Sequence, residues 1–403
     1  MNILVLNCGS SSAKYKLIEI KNNVTLAEGG VEKIGLPDAF IKVKLPDGSK
    51  KEISLDITDH NGAIKAILDI LTDDNLGCIK SFDQIDAVGH RVVHGGEKFS
   101  SSVRINDEVK AMIADCYDIA PLHNPVNMAG IEAIEAILPN VPQVAVFDTA
   151  FHQTMPPKAY MYPLPYKYYK HDHVRRYGFH GTSHRYVSRK VCEMLGLNYE
   201  DQRIICCHIG NGASISAIDH GKCIDTSMGL TPTEGLMMGT RVGDIDAGAL
   251  VFLMKRYGLD AMQVQNLVNK ESGVLGITGI SSDMREVVAA AEQGNERAKL
   301  ALEMYELRIL KYIGAYAAEL GGVDVIAFTG GVGENQTDTR ENVCRKLAHL
   351  GVDIDPDLNA QMWRGHDGEI SKPGSRVRVA VVLTDEEYMI ARDTEAIVEG
   401  RQP

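Results

Sequence analysis

The sequence predicts an α/β protein built from two domains. Three observations support this class: the chain has 403 residues, short apolar strands alternate with helical patterns, and one strand–turn–strand unit occurs in both halves. A chain of this length exceeds one ordinary hydrophobic core, so two domains are the default expectation. Polar residues follow several strands, and the ligands of α/β proteins bind at such strand ends.

The first strand–turn–strand unit is NILVLNCGSSSAKYKLIEI, residues 2–20. Ile3 to Leu6 form an apolar run typical of a buried strand, and apolar and polar residues alternate after the turn. Gly9 gives the turn backbone freedom, and three serines follow it. Such a turn binds anions through backbone N–H groups, or it is an ordinary hairpin turn. This segment alone leaves both interpretations open.

Two common nucleotide-binding motifs are absent from the sequence. Neither GxxxxGK[ST] nor a GxGxxG that follows a strand occurs in the 403 residues. A phosphate loop in this chain would therefore be a hairpin turn between two strands.

The second unit is RIICCHIGNGASISAIDHGK, residues 203–222. Asn7 closes the first strand of one unit and His208 closes that of the other, and glycine with small polar residues follows each. This is an internal repeat separated by about half the chain. Two equivalent turns suggest two loops that face each other across a cleft and hold one polyphosphate.

The other elements follow from periodicity and turn chemistry. The first sixty residues predict strands, with a turn at Pro46–Gly48. Helices are predicted near 62–71, 107–118, 127–138, 244–257 and 296–320, and strands at 143–147, 323–330 and 376–383. Residues 156–170, rich in Pro and Tyr, indicate a boundary or an irregular surface segment. Thr384 or Asp385 is a suitable N-cap for a last helix.

Composition excludes several classes of partner. The net charge of −12 argues against nucleic acid as the main partner. No apolar stretch is long enough to span a bilayer, and the N-terminus lacks a signal-peptide pattern, so we expect a cytoplasmic protein without a membrane partner.

Metal sites of the zinc type and disulfides are not expected. The eight cysteines form no CxxC motif, which favours buried thiols. His180 and His184 have zinc-like spacing, but the segment lacks the Glu of HExxH and Gly181 weakens a helix there.

Polar residues gather where strands are expected to end. They are Asn7, Arg91, Asp148, His208 and a turn at GGVGEN (330–335), and Gly-flanked loops add His180 and Arg241. An ion pair would also explain Arg91, and a helix N-cap would also explain Asp148. Taken together, they suit phosphoryl transfer, which depends on positioning and charge neutralisation. Arginine holds phosphoryl and carboxylate groups in a bidentate manner, and an amide with a carboxylate suits Mg²⁺.

Segments spread over essentially the whole chain resemble motifs of the acetokinase family, within the actin-like ATPase and sugar kinase superfamily. In order they are ILVLNCGSSSAKYKL, HRVVHGG, PLHNP, VFDTAFHQTMP, YGFHGTSH, HIGNGAS, GLTPTEGLMMGTRVGDID, GGVGEN and TDEE. The resemblance implies two actin-like (ribonuclease H-like) domains with duplicated ββ-hairpin phosphate loops around a central cleft. These would be residues 1–150 plus 386–403 on the acyl and phosphate side, and 151–385 for nucleotide binding and dimerisation.

The resemblance further implies reversible phosphorylation of acetate by ATP, by direct in-line transfer, in a cytoplasmic homodimer. Mg²⁺ would be the metal, with Mn²⁺ as an alternative. The implied catalytic residues are Asp148, His180, Arg241 and Arg91; the metal residues are Asn7 and Glu386; the acyl-site residues are Arg91, Val93, Leu122, Phe179 and Pro232. The implied nucleotide residues are Lys14, His208, Ile209, Gly210, Asn211, Gly212, Asp283, Met284, Arg285, Gly331, Val332, Gly333, Glu334 and Asn335.

One position departs from the family pattern. The family usually has Thr-Asn-Glu-Glu near the C-terminus, and this chain has Asp385 in place of the Asn. The extra carboxylate leaves open whether Glu386 or Glu387 holds the metal. A carboxylate acceptor is ionised at pH 7 and needs no general base, so we expect Asp148 to organise Mg²⁺ waters and Arg91.

Substrate size is expected to depend on Val93, because the family's propionate kinases tend to have a smaller residue there. Acetate is therefore favoured, propionate kinase is the alternative, and butyrate is disfavoured. One methylene discriminates by only ~1–3 kcal/mol, so propionate should be a poorer substrate. Two rivals are an actin-like switch ATPase, which would need a peptide-binding or polymerising segment, and a sugar kinase, which would need a polar pocket.

Overall fold

The structure is a computed structural model that describes residues 1–45 and 47–403. It forms two compact units, one of Met1–Gln153 with Asp385–Pro403 and the other of Thr154–Thr384. Pro46, in the turn predicted at Pro46–Gly48, lies outside the described residues. Among the described residues, no helix combines the length and apolar character needed to cross a membrane.

The described chain contains runs of strands and runs of helices. The strands are β1 (Asn2–Gly9), β2 (Ser12–Glu19), β3 (Val24–Glu32), β4 (Phe40–Lys44), β5 (Lys50–Ser54), β6 (Ala87–Val92), β7 (Val103–Arg104), β8 (Gln143–Phe147), β9 (Arg203–Ile209), β10 (Ala213–Asp219), β11 (Lys222–Thr226), β12 (Val325–Thr329), β13 (Gly368–Glu369) and β14 (Arg378–Val381). The α-helices are α1 (His60–Leu71), α2 (Asp107–Ala114), α3 (Asn124–Ile137), α4 (Pro157–Tyr160), α5 (Lys167–Asp172), α6 (Gly181–Leu195), α7 (Ala247–Tyr257), α8 (Ala261–Lys270), α9 (Gly273–Thr278), α10 (Met284–Glu292), α11 (Glu296–Glu319), α12 (Gly330–Asn335), α13 (Thr337–Lys346), α14 (Pro356–Gln361) and α15 (Glu386–Val398).

The first unit contains a mixed sheet in the order β5-β4-β3-β2-β1-β6-β8-β7. Strand β1 pairs antiparallel with β2 and parallel with β6. Its side chains alternate between two cores: Leu4 and Leu6 pack in a cluster with residues of α1 and α3, while Ile3 and Val5 pack in a second cluster with residues of α15. Because both faces of β1 are buried, the strand is apolar throughout rather than alternating with polar residues.

The second unit repeats this arrangement. Its sheet runs β11-β10-β9-β12-β14-β13, so an antiparallel hairpin followed by parallel strands matches β3-β2-β1-β6-β8. In the hairpins, Asn7 lies opposite Lys14 and His208 lies opposite Ser214. The predicted α/β fold with duplicated hairpins is confirmed.

Most predicted elements are present, and two expectations are wrong. The last helix begins as expected, with the Asp385 side chain accepting a hydrogen bond from the Tyr388 N–H at 3.0 Å. Gly181, however, does not prevent a helix, because α6 begins there, directly after His180 in the left-handed region at φ 55°. The GGVGEN segment, expected as a turn, forms the short helix α12.

Candidate active site

In the first unit, three strand ends bring Asn7, Arg91 and Asp148 together. Arg91 Nε and Nη2 donate to the two carboxylate oxygens of Asp148 at 2.9 and 2.6 Å, and Nη1 donates to Asn7 Oδ1 at 3.1 Å. The Asp148 side chain is only 1% exposed, whereas that of Arg91 is 24% exposed. The Asp148 carboxylate therefore holds the Arg91 guanidinium in one orientation, as a bidentate pair does.

The charge of Arg91 is stabilised by several acids. Burial lowers its pKa, but the charge of Asp148 and its hydrogen bond, and then Glu386 and Glu387, raise the pKa above the usual arginine value. The charged form of Glu386, in contrast, is disfavoured by its surroundings. Burial raises its pKa to about 7; Arg91 counteracts this, and the nearby Asp148 and Glu387 add to it. Glu386 at the start of α15 is therefore a buried acid that lies near two further carboxylates, those of Asp148 and Glu387.

Asp385, the residue that departs from the family pattern, has other partners. It caps α15 and pairs with Lys16, whose Nζ lies 3.4 Å from Asp385 Oδ1. Glu387 lines a small cavity of about 90 Å³ together with Asn7 and Lys14. The structure thus assigns Asp385 a capping role and leaves two glutamates near Asn7 and Arg91.

The residues expected at the acyl group lie in both units. In the first, Val93 is 6% exposed and its N–H donates to Asn127 Oδ1 at 3.0 Å, while Leu122 is 58% exposed. In the second, Phe179 is buried and Pro232 is half-buried. Val93 follows Arg91 by two residues in the chain, and the Pro232 carbonyl accepts a hydrogen bond from Arg241.

In the second unit, Arg241 and His180 lie beside the turn of the β9–β10 hairpin. A Cβ atom placed on Gly212 would be 3.4 Å from Arg241 Nη1 and 3.6 Å from His180 Nε2. Arg241 Nη1 donates to the Pro232 carbonyl at 3.1 Å and contacts the Met238 sulfur at 3.8 Å. Burial lowers its pKa, and no acid among the described residues counteracts this. Arg241 is thus a half-buried cation whose described surroundings lack an anion.

Serines orient the three histidines of this unit. Ser214 Oγ is hydrogen-bonded to His180 Nδ1 at 2.9 Å and to His184 Nε2 at 2.7 Å. Ser183 Oγ is hydrogen-bonded to His208 Nδ1 at 2.7 Å, and the rings of His180 and His208 stack at 4.3 Å. The i, i+4 spacing therefore places both His180 and His184 within hydrogen-bonding distance of Ser214 on β10.

The second unit also contains a cavity of about 820 Å³. Of the expected nucleotide residues, it is lined by Gly210, Asn211, Asp283, Met284, Arg285, Gly331, Val332 and Asn335. It is not lined by His208, Ile209, Gly212, Gly333 and Glu334, and Lys14 belongs to the first unit. Lining residues that sequence reasoning missed are Gly239, Ser282, Tyr305, Gln336, Trp363 and Arg364.

Glu334 organises the backbone of the loop that follows β12. Its Oε1 accepts hydrogen bonds from the N–H groups of Gly330 at 3.0 Å and Thr384 at 3.1 Å, and from the Thr329 hydroxyl at 3.1 Å. One oxygen of the Glu334 carboxylate is therefore directed at its own loop. The same bonds fix α12 directly after β12.

Two α/β units have equivalent hairpins, an ion-paired Arg91, a glycine-lined cavity and an Arg241 that has no acidic partner in the described part of the chain. These features are those of a kinase without a P-loop. A family model described as the Acetokinase family matches residues 2–392. This chain belongs to that family.

The most similar proteins include curated and solved members of the family. The chain is 60% identical over 398 residues to an acetate kinase of Bacteroides thetaiotaomicron, covering 99% of this chain and 100% of the relative. The crystal structure of Porphyromonas gingivalis acetate kinase matches with a TM-score of 0.96 at 58% identity, covering 98% of this chain and 99% of that one. A propionate kinase structure from Francisella tularensis matches with a TM-score of 0.91 at 41% identity, covering 98% and 99%.

Proposed function

We propose that this enzyme transfers the γ-phosphoryl group of ATP to acetate, and reversibly makes ATP from acetyl phosphate and ADP, by direct in-line transfer. The observation that carries the proposal is Arg241, a half-buried guanidinium without an acidic partner among the described residues. A buried charge is costly unless an anion compensates it, so the site is prepared for a carboxylate or phosphoryl group. Full-length relatives that are named acetate kinase support acetate as that carboxylate.

The residues act by positioning and by charge. Acetate is ionised at pH 7, so no base is needed to activate it. Both Asp148 oxygens are occupied by Arg91, which supports a role for Asp148 in orienting that guanidinium. Arg91 and Arg241 then bind the acyl and phosphoryl oxygens, and His180, oriented by Ser214, stabilises the charge that develops during transfer.

The residues at the start of α15 fit Mg²⁺, with Mn²⁺ as an alternative. Within residues 1–45 and 47–403, no three His, Cys, Asp or Glu residues form a closed metal cage. Mg²⁺ usually takes one or two carboxylates, several waters and substrate phosphates, so a closed cage is not required. A cation would reduce the repulsion between Glu386 and the nearby carboxylates of Asp148 and Glu387, and Asn7 supplies a neutral oxygen. Bound Mg²⁺ would neutralise phosphate charge.

The cavity of the second unit is the proposed site for ATP and ADP. Gly210 and Gly331 allow backbone N–H groups to approach phosphate oxygens without hindrance from side chains. This gives the second unit the nucleotide role and the first unit the metal role, while the residues proposed for the acyl group belong to both units.

We also propose that the second unit forms a homodimer. Within the described part of the chain, the helices α7 and α8 bury no residue, although α7 is mostly apolar. Phe252, Tyr257 and Met262 are 63%, 69% and 63% exposed. An apolar face of this kind marks a protein interface, and a second copy is the partner that the family resemblance implies. The free cysteines suit a reducing compartment, so we propose a cytoplasmic enzyme.

The test of the proposed function is ADP release from Mg-ATP by the purified full chain, measured alone, with acetate and with glucose. We expect release only with acetate. Equal release without any acceptor would identify a switch ATPase, and release that depends on glucose would identify a sugar kinase; either result would overturn the proposal.

A further inference from the structure

One wall of the cavity in the second unit lies outside the family motifs. It is formed by Trp363 and Arg364, in the loop after α14. Trp363 is the only tryptophan in the sequence, and it is 41% exposed although it is the largest apolar side chain. The Arg364 guanidinium lies over the indole ring, with Cζ 4.1 Å from the ring centroid. The pair offers the cavity a flat surface that carries both aromatic and cationic character.

This wall is anchored to the glycine loop of the cavity. The fully buried Arg340 donates hydrogen bonds to the carbonyls of Gly333 and Met362 at 2.8 and 2.7 Å, and so ties the loop before Trp363 to α12. The Arg364 N–H donates to Asn335 Oδ1 at 3.0 Å. Arg364 also has φ 51°, a left-handed conformation that is unfavourable for a side chain other than glycine. The surroundings therefore hold the Trp363–Arg364 pair in place.

The lining of the cavity is chemically divided. Gly210 and Gly331 line one part without side chains, so phosphate oxygens can approach the backbone there. Trp363, Met284 and Val332 present apolar surface that phosphate cannot use but the faces of a nucleobase can. Stacking of a base on an aromatic side chain contributes affinity for any base, because every base has a π-face.

We propose that Trp363, stacked with Arg364, binds the base of the nucleotide and thereby selects a nucleoside polyphosphate over a bare polyphosphate. This inference rests on the proposed function, which places ATP in this cavity. It adds the part of the site that makes the enzyme dependent on a nucleoside. Because stacking tolerates all bases, the pair raises affinity for ATP and GTP alike.

The single tryptophan reports directly on this contact. Its fluorescence in the full-length wild type is followed during titration with ADP, adenosine and inorganic tripolyphosphate. We expect ADP and adenosine to change the emission and tripolyphosphate to leave it unchanged. Unchanged emission at ADP concentrations that saturate the enzyme, or an equal change with tripolyphosphate, would overturn the proposal.

Steady-state kinetics of Trp363→Ala and Trp363→Phe separate a binding role from a structural one. Loss of the ring should raise KM for ATP about tenfold or more, leave KM for acetate in place, and be largely rescued by phenylalanine. Since Trp363 is half-exposed, the thermal midpoint should change little. Acetyl phosphate formation by Trp363→Ala with an unchanged KM for ATP would refute this inference alone. Absence of acetyl phosphate formation by the wild type would instead refute the proposed function.

Discussion

Replacing Arg241 with alanine should abolish most of the activity without weakening the fold. In the described structure the guanidinium donates to one carbonyl and contacts one sulfur, and it has no acid to balance its charge. A half-buried cation of this kind contributes little to folding and is available to substrate. Loss of the guanidinium should therefore raise the free energy of the transition state and hardly change the free energy of unfolding.

The magnitude follows from the hydrogen bonds that the guanidinium can form. A hydrogen bond to a charged group contributes ~1.5–3 kcal/mol, and two such bonds to the transferring group give ~3–6 kcal/mol. This corresponds to a fall of about 10²- to 10⁴-fold in kcat/KM. Arg241→Lys keeps the positive charge but loses the bidentate hydrogen bonding of the guanidinium, so this variant should retain only part of the wild-type rate.

A matched arginine of the same unit should behave in the opposite way. Arg203 forms a bidentate pair with Asp324, with Nε–Oδ2 at 3.0 Å and Nη2–Oδ1 at 2.7 Å. We expect Arg203→Ala to lower the thermal midpoint and keep turnover. Both variants are compared by hydroxamate assay and thermal unfolding. Unchanged turnover in Arg241→Ala, or a loss of activity that only follows unfolding, would refute the reasoning.

Three further predictions concern buried acids. Asp148→Asn should lower kcat and raise the Mg²⁺ requirement without removing a limb of the pH–rate profile, because Asp148 orients Arg91; a lost limb with unaltered Mg²⁺ dependence would contradict this. Glu386→Gln should raise the Mg²⁺ concentration for half-maximal rate at least tenfold, whereas Asp385→Asn, which keeps the capping oxygen, should not; the reverse order would refute the assignment. Burial raises the pKa of Asp225 from 3.8 to about 7; the charge of Arg176 opposes this shift and that of Glu319 adds to it. Protonated Asp225 therefore stabilises the folded state fully below about pH 4, and this stabilisation is lost as the pH rises to 7. In urea titrations, Asp225→Asn should remove up to ~4 kcal/mol of the change in the free energy of unfolding between these pH values. An unaltered pH dependence would exclude this role of Asp225.

The repeated hairpins could be predicted because their signals are local. Alternation in β2 and β10, and the polar residue that closes β1 and β9, are properties of short segments. The buried strand QVAVF and the long helix α11 were recognisable for the same reason. Other residues have no local pattern that predicts a role, and their expected roles come from the family resemblance.

Other features depend on contacts between distant segments. Helix α6 was missed because Gly181 and a polar first turn are unfavourable in isolation, yet His180 and His184 are both hydrogen-bonded to Ser214 on another strand. Trp363 was missed because no motif surrounds it and its position depends on the buried Arg340. No local pattern indicates that Glu334 Oε1 accepts hydrogen bonds from the backbone of Gly330 and Thr384. Residue types can be identified from the sequence, whereas their partners depend on packing between distant segments.

The most direct test of the central claim is acyl phosphate formation, trapped as the hydroxamate, from Mg-ATP with acetate, propionate and butyrate in parallel. We expect the highest rate with acetate, a lower rate with propionate and the lowest with butyrate, because Val93 is a buried residue in the proposed acyl site. A higher rate with propionate would keep the fold and the transfer chemistry but contradict the role of Val93. ATP consumption without hydroxamate from any of the three acids would contradict the proposed transfer of a phosphoryl group to a carboxylate.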